Sequence, residues 1–104
     1  MKIKNYKLSE KTIKLLTTEL TFLAVSSRVE GFDLIRLEFD SELDGQRINN
    51  VTKILRMLKR EKKISLFLSS EDFDKDLTEA SYLKNLYPTL EKDSDSNCFI
   101  VVKI

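Results

Sequence analysis

Residues 34–69 read LIRLEFDSELDGQRINNVTKILRMLKREKKISLFLS, and the hydrophobic period changes twice within them. From Leu34 to Phe39 apolar residues alternate. Ile35, Leu37 and Phe39 fall on one side and Leu34, Arg36 and Glu38 on the other, the pattern of a strand with one strongly apolar face. From about Gly45 to Lys63 the period lengthens to that of a helix. Ile48, Val51, Leu55 and Leu58 make an apolar stripe, while Asn49, Lys53, Arg56, Arg60 and Lys63 lie opposite. Ser41 with Asp44 makes a capping box at the helix start, or Asp44 is itself the N-cap, and a Lys/Arg-rich last turn complements the helix dipole. Ile64, Leu66 and Leu68 then alternate with Ser65, Phe67 and Ser69 as another strand. Strand, amphipathic helix and strand in succession predict an α/β layer, with parallel neighbours joined by right-handed crossovers.

The flanking sequence extends this pattern. Residues 1–8 form a weak strand, and Ser9 is the expected N-cap of a helix with Ile13, Leu16, Leu20 and Leu23 at helical spacing. Gly31 supplies its stop, because glycine takes a left-handed C-cap at little cost. Residues 71–86 read as a shorter helix with Phe73, Leu77 and Ala80 inward, ended at Tyr87-Pro88 because a residue before proline disfavours the helical region. Asp93–Asn97 is a polar loop. Cys98–Ile104 is a closing strand with Cys98, Ile100, Val102 and Ile104 on one face and Phe99, Val101 and Lys103 on the other. The expected architecture is one α/β domain over residues 1–104, with a sheet of about four strands in the order β-α-β-α-β-α-β. The strands share one apolar face and one mixed face carrying Arg36, Glu38, Ser65, Phe67, Ser69, Phe99 and Lys103. Helices are therefore expected mainly on one face, leaving a second face partly exposed, thinly covered or used for self-assembly.

Composition narrows the chemistry. The 104 residues include no His and no Trp, two Gly (Gly31 and Gly45), one Pro (Pro88) and one Cys (Cys98). Acid–base catalysis near neutral pH draws on His or a strongly perturbed carboxylate, and phosphate-cradling loops need several glycines. A lone Cys with no His makes neither a disulfide framework nor a zinc site, and Cys98 reads as a small buried hydrophobe. No enzyme, cofactor or metal is implied. No apolar run is long enough to cross a bilayer, and the N-terminus carries no apolar signal region, so a cytoplasmic protein without a membrane role is expected. Charge is segregated along the chain: residues 1–14 and 47–63 are basic, residues 30–44 and 71–95 acidic, and the net charge is only +1. Such blocks attract each other within a fold or present separate surfaces to partners.

Three candidate sites follow. Asp40, Glu42, Asp44 and Gly45 resemble the start of an EF-hand loop, but Val51 stands where its bidentate Glu belongs. Asp40 and Asp44 at the end of a strand are also placed as a magnesium site would need, although capping and solvation explain them more simply. The basic side of the second helix, with Arg56, Arg60 and Lys63, fits phosphates, RNA or an acidic protein surface, and few aromatics stand among these cations to stack on bases.

The order of parts resembles the STAS domain, the family of anti-sigma factor antagonists and of regulatory domains in some anion transporters. The resemblance runs over roughly residues 9–90. It is carried by strand 34–39, the acidic turn with Asp44-Gly45, the helix from Ile48 to Lys62, strand 64–69, and the segment Leu77-Thr78-Glu79-Ala80-Ser81-Tyr82-Leu83-Lys84-Asn85-Leu86-Tyr87-Pro88. The family has "D-S-S-G" at that turn; here Gly45, Gln46 and Arg47 follow Asp44, so the phosphoacceptor serine is missing. The resemblance implies a bacterial, non-enzymatic regulatory module that contacts another protein through Asp44, Gly45, Gln46 and Arg47, extended by Asn49 and Lys53. The chain departs from the family in having one N-terminal strand instead of two and a terminal strand, Cys98–Ile104, where the family more often has a helix. The expectation is that this strand fills the sheet position of the missing first one.

Overall fold

The computed structural model describes residues 2–8, 12–39, 45–69 and 99–104. The described elements are β1 (Ile3–Lys7), α1 (Ile13–Val29), β2 (Leu34–Glu38), α2 (Gly45–Arg60), β3 (Leu66–Ser69) and β4 (Phe99–Lys103). They form an α/β fold with one mixed four-stranded sheet in the order β1-β2-β4-β3. The helix expected at 71–86, the acidic turn 40–44, Ser9 and Cys98 lie outside the described residues.

β1 pairs parallel with β2, as a βαβ crossover through α1 requires, in a register that sets Ile3 against Leu34 and Tyr6 against Leu37. The expectation of parallel neighbours fails at the centre of the sheet. β4 is antiparallel to both β2 and β3, with Ile100 opposite Leu37 and Val101 opposite Leu68. β3 therefore runs in the same direction as β2, as the crossover through α2 demands, but stands one strand away from it. The closing strand is not detached; it occupies the gap and is paired on both sides. Nothing in its alternating sequence distinguishes an edge from a centre, since period two reports faces and not neighbours.

Both described helices pack on the same side of the sheet. Leu16, Leu20, Leu23 and Ala24 of α1 and Val51, Ile54, Leu55 and Leu58 of α2 form one core with Ile35, Leu37, Phe39, Ile100 and Val102. On the second side Leu34, Leu68, Phe99 and Val101 form a smaller core, with Ile3 and Leu66 against it. The second face is more deeply withdrawn than its mixed composition suggests: Leu34 and Val101 are 0% exposed, Phe99 4% and Arg36 5%. This part of the face is closed within a single chain, so it is neither partly exposed nor free for assembly. β3 also lies the other way up. Phe67 packs with the helices, whereas Leu66 and Leu68 belong to the second core. The apolar side of this strand and that of its neighbours are thus on opposite faces, because register and not composition decides which stripe faces the helices.

Arg36 is the one charged side chain held in this smaller core among the described residues. Its Nη1 donates to Glu38 Oε1 at 2.5 Å, and its guanidinium lies 4.6 Å from the centre of the Phe99 ring. A planar, weakly hydrated cation tolerates this setting better than an ammonium would. Its Nε and Nη2 are buried without acceptors.

The helix ends share one geometry. α1 starts after Thr12, whose extended backbone (φ −65°, ψ 160°) replaces the expected cap at Ser9, and Leu16 N donates to Thr12 O at 2.9 Å. Its other end is a Schellman turn: Gly31 N donates to Arg28 O and Phe32 N to Ser27 O, with Gly31 at φ +84°. α2 ends the same way without a glycine. Lys62 N donates to Lys59 O, Lys63 N to Leu58 O, and Lys62 takes φ +61°. A side chain in this region costs on the order of 1–2 kcal/mol.

These turns give opposite expectations for two substitutions. Lys62→Gly raises unfolding stability by about 0.5–1 kcal/mol, and Gly31→Ala lowers it by about 1 kcal/mol although no atom lies within 4 Å of the added methyl. Urea denaturation of the two variants beside the parent chain checks both signs.

Candidate functional site

The helices turn their inner sides to the sheet, so their outer sides form the surface of the molecule on that side. Successive helical residues are rotated by about 100°. On α2 this places Gln46, Asn49, Lys53, Arg56 and Arg60 along one outward line, and all five are exposed. Gln46, Asn49 and Lys53, expected for protein contact, and Arg56 and Arg60, expected for nucleic acid, therefore share a single stripe. Lys53, Arg56, Lys59 and Arg60 line a shallow groove of about 560 Å³ whose described lining is entirely basic.

Arg47 does not belong to this stripe. It is half-buried on the flank that turns toward the core, and its Nε is withdrawn from solvent. Lys63 departs from it too. It lies past the end of α2, its Nζ is 3.1 Å from Glu61 Oε2, and its carbonyl accepts from Arg28 Nη2 at 2.7 Å. That bond ties the end of α1 to the turn after α2. Gly45 opens α2, and Asp40 and Asp44 lie outside the described residues, so the magnesium arrangement has no geometry to describe. Among the described residues no three His, Cys, Asp or Glu side chains cluster as a metal would need, and no helix is long and apolar enough to cross a membrane.

The outer side of α1 is a surface that no charged or polar motif marks. Leu15 is 54% exposed, Phe22 73%, Val25 50% and Val29 83%. The signal was present in the sequence: this helix carries more apolar residues than one buried face can absorb. Between α1 and β1 runs a groove of about 480 Å³, with Leu15 and Phe22 on one wall and Lys4 and Tyr6 on the other.

Two polar contacts hold the walls of that groove. Tyr6 Oη donates to Glu19 Oε1 at 2.6 Å, and Lys4 Nζ lies 3.3 Å from Glu30 Oε2. The start of β1 is fixed further by Lys2, whose Nζ sits 4.6 Å from the centre of the Phe32 ring and whose backbone N–H donates to Asp33 Oδ2. The Tyr6 phenol is pushed up from 10.0 to about 12, first by its hydrogen bond to the Glu19 carboxylate, then by burial and by the negative charge of Glu19. Each of these favours the neutral phenol. The contact joins strand to helix and carries no nucleophile or proton shuttle near neutral pH.

No family model matches the chain, and neither a curated protein nor a solved structure matches it.

Because the folded-state phenol ionises at higher pH than the unfolded one, the stabilisation from Tyr6 is complete below pH 10 and is lost as pH rises toward 12. Tyr6→Phe should cost about 1 kcal/mol at pH 8. The gap between parent and variant should close across that alkaline window in thermal melts, and a gap that widens there would contradict the assignment.

Proposed function

We propose that this chain is a non-enzymatic regulatory module that binds an acidic surface of another protein through the outward stripe of α2. The observation that carries the reading is the convergence of Lys53, Arg56, Lys59 and Arg60 on one groove with an entirely basic described lining. Exposed cations grouped in this way steer an anionic partner into place and add specificity to its binding more than they add fold stability. Gln46 and Asn49 extend the stripe toward the start of α2 with neutral hydrogen-bonding groups.

The STAS resemblance points to the turn before α2 and its first residues, the other end of the helix from the basic groove, and Asn49 and Lys53 link the two along the stripe. Gly45 in place of the phosphoacceptor serine makes the module one that binds without being switched by phosphorylation at that turn. In this proposal Arg47 supports the helix flank, and Asn49, Lys53, Arg56 and Arg60 meet the partner. The same cations suit a nucleic-acid backbone, but the stripe has no aromatic residue on which a base would stack. An acidic protein is therefore the preferred partner.

The test is charge reversal. Lys53→Glu, Arg56→Glu and Arg60→Glu combined should leave the far-ultraviolet spectrum and melting temperature nearly unchanged, because all three side chains are exposed. The variant should lose more than tenfold in affinity for a partner recovered by cross-linking to the parent chain, and the parent's affinity should fall with added salt. Equal affinities for that partner would overturn the site. Salt-dependent RNA binding by the parent in a gel shift, abolished in the variant, with no protein partner recovered, would transfer the stripe to nucleic acid.

A further inference from the structure

The outer residues of α1 have a regular spacing. Leu15, Thr18, Phe22, Val25 and Val29 follow one another at alternating steps of three and four, the heptad a-d-a-d-a, and every one of them is exposed. They lie on the side of the helix opposite Leu16, Leu20, Leu23, Ala24 and Ser27, which face the sheet. A narrow apolar seam at this period is the kind that meets another helix lengthwise, and α1 is already held rigid by its inner face. The neighbouring edge of the described sheet is less suited to association. A second β1 added antiparallel would bring the lysines of one strand, Lys2, Lys4 and Lys7, near those of the other.

We propose that this seam pairs with α1 of a second copy of the chain, in parallel, to make a two-fold dimer with the two helices between two sheets. The residues flanking the seam select the occupant and its direction. Lys14, Thr21 and Arg28 stand at g positions and Glu19 and Ser26 at e positions. In a parallel pair a g residue meets the e residue of the next heptad on its partner, so Lys14 faces Glu19 of the second copy, and symmetry makes this contact twice. In an antiparallel pair g meets g, which confronts Lys14 with Arg28. Glu19 is held beside the seam by the Tyr6 hydroxyl, which donates to its Oε1. The complementarity belongs to α1 itself, so a second copy of the chain is the partner that carries it. This inference is independent of the stripe on α2.

Sedimentation equilibrium of the full chain across about 5–500 μM should show a reversible monomer–dimer equilibrium, in the range expected for a short seam. Phe22→Asp should weaken dimerisation at least tenfold without altering the melting temperature of the monomer, since Phe22 is 73% exposed. Lys14→Glu alone should weaken it severalfold, and Lys14→Glu with Glu19→Lys should restore it. A chain that is monomeric at every concentration would overturn the proposal, as would a dimer indifferent to Phe22→Asp. Failure of the double exchange to restore what the single one lost would overturn the parallel alignment. Binding of a monomeric parent chain to anionic phospholipid vesicles, abolished by Phe22→Asp, would give the seam to a membrane surface and overturn self-pairing.

Discussion

β2 is hydrogen-bonded on both sides, to parallel β1 and antiparallel β4, and its residues Leu34–Leu37 are buried on both faces. A strand in this position obliges every neighbour to supply apolar cover, because burying each Leu or Ile contributes about 1.5–3 kcal/mol only where water is excluded. Ile35 and Leu37 take their cover from α1 and α2; Leu34 lies in the smaller core beside Leu68, Phe99 and Val101. The alternation that first marks residues 34–39 as a strand thus feeds two cores. Arg36 is carried into the smaller one, where Glu38 balances its charge and the Phe99 ring covers its plane.

Placing both described helices on one side of that strand has a second result. Each helix has its inner face committed, and what remains outward differs between them: a basic stripe on α2 and an apolar seam on α1. The two also differ in what they suit. Exposed cations act at a distance and respond to salt, whereas exposed apolar residues act only on contact and gain by excluding water. The Arg28 bond to the Lys63 carbonyl and the Tyr6 bond to Glu19 fix the lateral position of α1 between α2 and β1, so both surfaces are presented by a rigid layer.

Much of this was legible in residue order. The existence of β1, α1, β2, α2, β3 and β4 follows from hydrophobic period, with boundaries displaced by up to three residues, and Gly31 marks the end of α1 as a left-handed cap should. The basic stripe was legible too, because charge at helical spacing is a local property. Arg47, which only the family resemblance put at the contact surface, is half-buried on the flank of α2 that turns toward the core. The apolar seam of α1 is not legible residue by residue, because Leu15, Phe22, Val25 and Val29 look like core residues until the core has been filled by others. Lys62 in a left-handed turn has no signal of its own, since lysine is not selected for that conformation.

The sequence by itself determined the alternation of strands and helices and the segregation of charge. These depend on residue type and near-neighbour spacing alone. Tertiary structure decided that the closing strand enters between β2 and β3, that β3 shows its leucines to the second face, and that α1 keeps Leu15, Phe22, Val25 and Val29 outside. Period two and period 3.6 state only that a segment has two sides. Which side is inside depends on where the other segments come to rest.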